Sequence, residues 1–271
     1  MDLKTAILSR RSVRSFQEDI PVPDDVIQEM LQMAQAAPSG GNGQNHIFGI
    51  VRDKRVKTEL AEAAGGQMWI ASAPVVIACC ARLPVNFREL APDDFGLAVD
   101  RLRWGDSLLD YITDYPEWKE AAMLFANAAP LIPAEHMFLT AVSHGLSACF
   151  VGWLDIKKAG SILALPSDIA CLFLLPVGYP KEEPGLKETK SIEEISFYDI
   201  YGGDKVNINI YGTVQAISAG TKSYHPGGRN EKINSSNYGS NGIDPGSSRS
   251  SAFYRACVVQ PTEKRRNCCY F

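Results

Sequence analysis

The stretch Ser9-Arg10-Arg11-Ser12-Val13-Arg14-Ser15-Phe16 sets three guanidinium groups and three hydroxyls within eight residues. It directly follows Leu3 to Leu8, which reads as one short amphipathic helix. Arg offers a planar fork of donors that matches phosphate bidentately, and Ser adds a short hydroxyl donor. Arg10, Ser12 and Arg14, on alternate positions, are therefore placed to converge on one anion. The same composition also describes a solvated basic surface, since charge runs commonly face water. The stretch alone does not choose between the two.

A second segment bears on that choice. Ala36-Ala37-Pro38-Ser39-Gly40-Gly41-Asn42-Gly43-Gln44-Asn45-His46-Ile47-Phe48-Gly49-Ile50-Val51 is a small-residue loop with two amides that feeds an apolar run of strand type. Glycine lets backbone approach a flat ligand closely, and Asn42 and Gln44 each carry a donor and an acceptor suited to the edge of a heterocycle. Read by itself it is also an ordinary helix-to-strand loop, where Pro, Ser, Gly and Asn are expected.

Taken together and in this order, the two segments resemble the FMN-dependent nitroreductase family. Gly145-Leu146-Ser147-Ala148-Cys149-Phe150-Val151-Gly152-Trp153 is similar to that family's strand over the flavin. Leu165-Pro166 and Leu174-Leu175-Pro176-Val177-Gly178-Tyr179-Pro180 resemble its last core strand and exit turn, and Lys190-Ser191-Ile192-Glu193-Glu194-Ile195 the segment that closes the domain. The resemblance spans residues 1–201.

It implies an α+β fold in which a nitroreductase-like mixed sheet is flanked by helices and two subunits interlock as a homodimer, with each flavin at the subunit interface. Arg10, Ser12 and Arg11 would then take the phosphate, and Arg14 the negative charge that develops on the reduced ring. Pro38, Ser39, Gly40, Asn42 and Gln44 of the partner subunit would address ring or ribityl atoms, and backbone at Val151, Gly152 and Trp153 would line the ring. Thr189 stands where many of the family carry Arg, so Lys190 or Lys187 is expected to assist at the phosphate. Trp153 replaces a commonly small residue and either stacks beside the flavin or fills core. The implied activity is electron transfer from NAD(P)H to nitroaromatic, quinone or similar electrophilic small molecules. A specialised flavoenzyme of the same fold, such as a dehalogenase or heterocycle dehydrogenase, and a non-catalytic FMN-binding or storage protein are the alternatives.

The rest of the chain agrees with a single enzyme domain bearing an appendage. The 271 residues are 45% hydrophobic and 21% charged, enough for one sizeable core. The N-terminus lacks a basic region leading into an apolar one, and the most apolar run, Trp69 to Ala81, is too short to span a bilayer, so a cytoplasmic location without membrane association is expected. Cys79, Cys80, Cys149 and Cys171 lie in apolar runs and read as reduced core thiols. No metal-ligand spacing is present. His46 and His136 read as structural.

Charge is uneven: residues 203–271 carry net +5, and residues 1–202 net −9. Beyond Tyr201-Gly202-Gly203 the chain turns rich in Gly, Ser and Asn, a composition that buries too little apolar surface to offset ordering. We expect an FMN-binding domain over 1–202 and a disordered basic tail over 203–271, which lacks the interleaved aromatics of a nucleic-acid reader.

Within the domain, Asp24 is expected to cap a helix with Val26, Ile27, Met30, Leu31 and Ala34 at helical spacing, ended by Pro38. A strand Ile47 to Val51, a helix Lys54 to Ala64 and a buried strand Ala73 to Cys80 follow, and Pro130 to His144 reads as a long apolar helix. Residues 95–128 set Leu97, Leu102, Trp104, Leu108, Leu109, Tyr111, Trp118 and Phe125 into a charged background. They read as one or two helices whose aromatic face packs on the body or covers a flavin.

Overall fold

A computed structural model describes residues 1–182, 185 and 188–202. The expected tail, residues 203–271, lies outside the described residues, as does Lys187. Met1–Lys187 forms one compact unit, and the described residues 188–202 belong to a second. In chain order the first unit holds helices α1 (Leu3–Ser9) and α2 (Asp24–Gln35), strand β1 (His46–Val51), α3 (Lys54–Ala63), α4 (Trp69–Ser72) and β2 (Val75–Arg82). Then come α5 (Phe95–Trp104), α6 (Asp106–Thr113), α7 (Trp118–Ala126), α8 (Leu131–Ser143), β3 (Ser147–Ala148), α9 (Ile156–Ile162) and β4 (Ile169–Gly178). The second unit holds α10 (Ile192–Ile195), which opens on a capping box in which the Ser191 amide donates to Glu194 at 2.9 Å.

The strands form one sheet in the order β1-β2-β4-β3. Its three ladders run antiparallel, and the parallel component among the described residues is the isolated bridge between Ser12 and Ala148. β2 has every residue from Val75 to Ala81 buried because helices cover both faces of the sheet. Successive side chains of a strand point to opposite faces. Val75, Ile77 and Cys79 accordingly join Met30 of α2 and Met137, Phe138 and Ala141 of α8 in one core. Val76, Ala78 and Cys80 join Leu60 and Ala61 of α3, Ile70 of α4 and Ala159 of α9 in another.

Register explains the cysteines. Cys79 faces Phe173, the pairing then shifts so that Cys80 faces Cys171, and Leu172 is the extra residue of the bulge. All four described cysteines are buried and unpaired, and the Cys80 and Cys171 thiols hydrogen-bond each other across the strands.

Local sequence accounts for most boundaries. Val26, Ile27, Met30 and Ala34 bury one stripe of α2, which packs along α8. The expected cap at Asp24 is corrected: Pro23 holds the N-cap position, Asp24 is the first helical residue, and its carboxylate pairs with Arg52 instead. Asp53, Asp94 and Asp155 do cap α3, α5 and α9, each accepting an amide of the first turn. Residues 95–126 form three helices rather than one or two, because Gly105, at φ 83°, breaks α5 from α6 and the turn before Trp118 separates α6 from α7. This excursion carries a small core of Phe87, Leu97 and Leu109 with Trp118 and Phe125 packed on it.

The N-terminal segment is laid along the sheet end by backbone bonds. The Val13 amide donates to Ala148 O at 3.1 Å, the Gln17 amide to Tyr179 O at 2.9 Å and the Lys181 amide to Ser15 O at 3.0 Å. Phe16 is fully buried there, worth about 1.5–3 kcal/mol in apolar burial. Gly178 permits this approach: a Cβ at that position would stand 2.5 Å from Pro74 Cδ and 3.2 Å from Phe16 Cδ1. We expect Gly178→Ala to cost about 1–3 kcal/mol through overpacking, measured as a lower urea midpoint at unchanged slope.

Candidate functional site

The burial pattern along residues 12–16 decides which groups face out. Val13 and Phe16 enter the core, while Ser12 and Arg14 remain exposed. Arg10, the C-cap of α1, leans its guanidinium on the Phe138 ring, 5.3 Å from the centroid, and lies 3.9 Å from Glu135 Oε1. Its side chain keeps 22% of its surface accessible. Burial pushes the Glu135 carboxyl up and Arg10 opposes that shift. Arg14 sits 6.0 Å from the centre of the Trp69 ring, which ties it to the first residue of α4.

Arg11 points elsewhere. Its Nη1 donates to the carbonyls of Leu8 and Arg10, both at 2.8 Å, and its Nε to that of Gly185 at 3.1 Å. These bonds make it a strut for the helix end rather than an open anion donor. Lys190 lies in the second unit, next to the Ser191 cap of α10.

Cys149 was not singled out in the sequence as a site residue, yet it lies against the basic row. Burial pushes its thiol up, while Arg14, a side-chain hydrogen bond with Ser12, and Arg10 act in the opposite direction. Two residues on, Val151 exchanges amide bonds with Leu174 at 2.9 and 3.1 Å and is buried, and Gly152 lies beside the Phe173 ring. Trp153 does not fill core: it is 73% exposed, with its indole laid over Gly65. Arg10, Ser12, Arg14 and Trp69 thus border one ledge, while Trp153 and Gly65 make a separate contact. Trp69 and Gly65 carry no motif of their own in the sequence, and only their fold neighbours reveal them.

The loop after α2 forms a second group. A short 3-10 helix spans Gly40–Asn42, and Gly41, Asn42 and Gln44 have φ of 54°, 56° and 48°. For Asn and Gln this left-handed backbone is sparsely populated and costs of order 1–3 kcal/mol each, so the surroundings must impose it. Ser39 Oγ accepts the Gln44 amide at 3.1 Å, and Gln44 Nε2 donates to Asn42 Oδ1 at 3.2 Å. Pro38 is exposed at the start of the loop.

Ser39, Gly40 and Gln44 form one wall of a cavity of about 400 Å³ whose other walls are Phe87, the α5–α7 excursion and Leu131 of α8. That is the size of a small-molecule site. Its polar lining includes two groups with little hydration. The Asp100 carboxyl is pushed up by burial, with the Trp104 indole bond and Arg103 opposing. His46, expected to be structural, borders this space, and burial lowers its affinity for a proton; its Nδ1 is fully buried without a hydrogen-bond partner. His136 hydrogen-bonds Met33 O at 3.1 Å, a link between α8 and α2. Asp100 and Trp104 stand four apart on one helix, and that spacing was the available signal for their pairing. Among the described residues no His, Cys, Asp and Glu cluster suited to a metal exists, and no helix is long and apolar enough to cross a membrane.

Comparison with known proteins places the fold in a family. Residues 7–179 match the model of the nitroreductase family. A protein named NADH dehydrogenase from Thermus thermophilus is 32% identical over 183 residues, covering 68% of this chain and 89% of its own. An FMN reductase [NAD(P)H] of Bacillus subtilis is 27% identical over 198 residues, covering 72% and 73%. Among solved structures, B. megaterium NfrA2 superposes with a TM-score of 0.58 at 25% identity over 75% of this chain and 77% of that one. The NADPH:FMN oxidoreductase of Vibrio harveyi, solved with NAD+, shares the fold with a TM-score of 0.56 at 23% identity, covering 76% and 80%. The fold and the ledge define a flavoprotein-type α+β architecture, and the chain belongs to the nitroreductase family.

Gly65, at φ 71°, makes the seat of Trp153 testable, since a Cβ there would stand 2.8 Å from the indole. Gly65→Ala should lift Trp153 off this seat, shift tryptophan emission to the red and cost about 1–3 kcal/mol.

Proposed function

We propose that this chain is an FMN-dependent oxidoreductase that passes electrons from NAD(P)H to nitroaromatic, quinone or similar electrophilic small molecules. The observation that carries the reading is the row Arg10, Ser12, Arg14, pinned beside Ala148 and edged by the Trp69 indole, over which Arg14 sits. Two cations and a hydroxyl on one backbone ledge, with a flat aromatic surface nearby, suit a phosphate joined to a flat ring. The names borne by the relatives, FMN reductase in B. subtilis and NADPH-flavin oxidoreductase in Vibrio harveyi, point the same way.

FMN, when bound, supplies hydride acceptance and onward electron transfer. The chain's residues hold and tune it. Ser12 and Arg10 would take the phosphate, with Arg11 bracing the segment that presents them. Arg14 stabilises negative charge near the ring on reduction. Backbone at Val151 and Gly152 would line the ring, with Trp153 beside it. Pro38, Ser39, Gly40, Asn42 and Gln44 address polar atoms of the cofactor from the second subunit of a homodimer, so that neither subunit completes a site alone. Leu3, Ile7 and Leu8 of α1 and Ile132 of α8 leave apolar surface exposed, which supports such a partner. We place the FMN-binding domain at residues 1–202 and the protein in the cytoplasm.

Purified protein supplied with FMN should show a flavin spectrum that bleaches on anaerobic addition of NADPH or NADH. A spectrum that persists with both donors would defeat the oxidoreductase reading. Arg10→Ala and Arg14→Ala should each weaken FMN binding by about 1.5–3 kcal/mol, roughly ten- to a hundredfold in Kd; unchanged affinity would remove them from the site. Deleting residues 203–271 should leave flavin content and turnover intact, measured as the FMN-to-protein absorbance ratio and the rate of NADPH oxidation.

A further inference from the structure

The cavity between the loop at Gln44 and the α5–α7 excursion has Phe87, Trp104 and Phe125 in its walls, with Asp100 the one carboxyl among a polar lining that also holds His46, Arg82 and Arg103. Asp100 is 8% exposed, and the one hydrogen bond to its carboxyl that we identify comes from the Trp104 indole. The Trp104 ring meets Phe125 edge-on at a centroid separation of 6.0 Å, while the other flank of the indole carries the Arg103 guanidinium at 4.7 Å. An ionised carboxylate has about four acceptor sites, and a buried one is costly while they stay unfilled. Trp104 occupies one. A ligand entering the cavity meets the remainder in a setting where water is scarce and each added hydrogen bond to a charged acceptor weighs heavily.

We propose that Asp100 determines acceptor specificity in this cavity, selecting flat aromatic molecules that carry an N–H donor, such as a carboxamide, over the corresponding methyl esters. The proposal rests on the oxidoreductase reading for the identity of the ligand as the electron acceptor, but the recognition itself needs only the cavity. The aromatic walls of Trp104 and Phe125 select for flatness, and Asp100 sorts flat molecules by the group they present. A carboxamide N–H satisfies the free acceptor sites. An ester oxygen leaves them empty.

The test compares 4-nitrobenzamide with methyl 4-nitrobenzoate, which differ by an NH2 to OCH3 exchange on the same nitroaromatic ring. Calorimetric titration of the FMN-saturated full-length protein should give at least tenfold tighter binding of the amide. Asp100→Asn, which keeps an acceptor for Trp104 but loses the charge and offers N–H groups of its own, should reduce that preference at least fivefold. The amide-to-ester ratio of kcat/KM should move with it, through KM. Equal affinity of the wild-type protein for the two compounds would overturn the proposal without recourse to any variant. An amide preference that Asp100→Asn leaves intact, with FMN content retained, would also overturn it. Selective binding without NADPH oxidation would leave Asp100 as a recognition residue and defeat the oxidoreductase reading instead.

Discussion

The structure of the ledge depends on one constraint: residues 12–17 are stitched by backbone bonds to Ala148 and Tyr179 at the end of the sheet. Once Val13 and Phe16 are driven inward by burial, the positions before and between them, Ser12, Arg14 and Ser15, face out. A basic stretch that would otherwise be a mobile surface run becomes a fixed array. The anchoring is apolar and the function polar, yet they share one short segment of chain. Glu135 adds a second control, since its carboxylate holds Arg10 over Phe138 at a distance long enough for an incoming anion to compete.

How much was legible in the sequence follows from the range of the forces involved. α2, α3, β2 and α8 announce themselves through periodicity, because each buries a stripe or both faces in a core that any chain of this size must have. The family resemblance rests on short local motifs, and these supplied the basic row and the amide loop. Asp24 was misplaced as a cap because Pro23 fixes an extended backbone one residue earlier, and Arg52, distant in sequence, claims the carboxylate. The segment from Gly145 to Trp153 reads as one strand, but only Ser147 and Ala148 pair continuously with β4, Val151 rejoining it as a single bridge.

Other features had no local signature. Trp153 is neither core nor free surface, and its seat exists only because Gly65 lacks a side chain. Arg11 looks equivalent to Arg10 and Arg14 in sequence, and only the position of the Leu8 and Gly185 carbonyls separates their roles. The cavity joins residues near 40, 100 and 125, and such proximity is a property of the fold alone.

The left-handed backbone at Gly41, Asn42 and Gln44 has a further consequence for how this lineage can drift. A β-branched residue at any of these positions would clash with its own main chain, so viable replacements there narrow to Gly, Asn and Asp, whatever the demands of a ligand. Change in substrate range in such a protein therefore meets less backbone restriction in the α5–α7 excursion, where Gly105 alone holds a left-handed conformation.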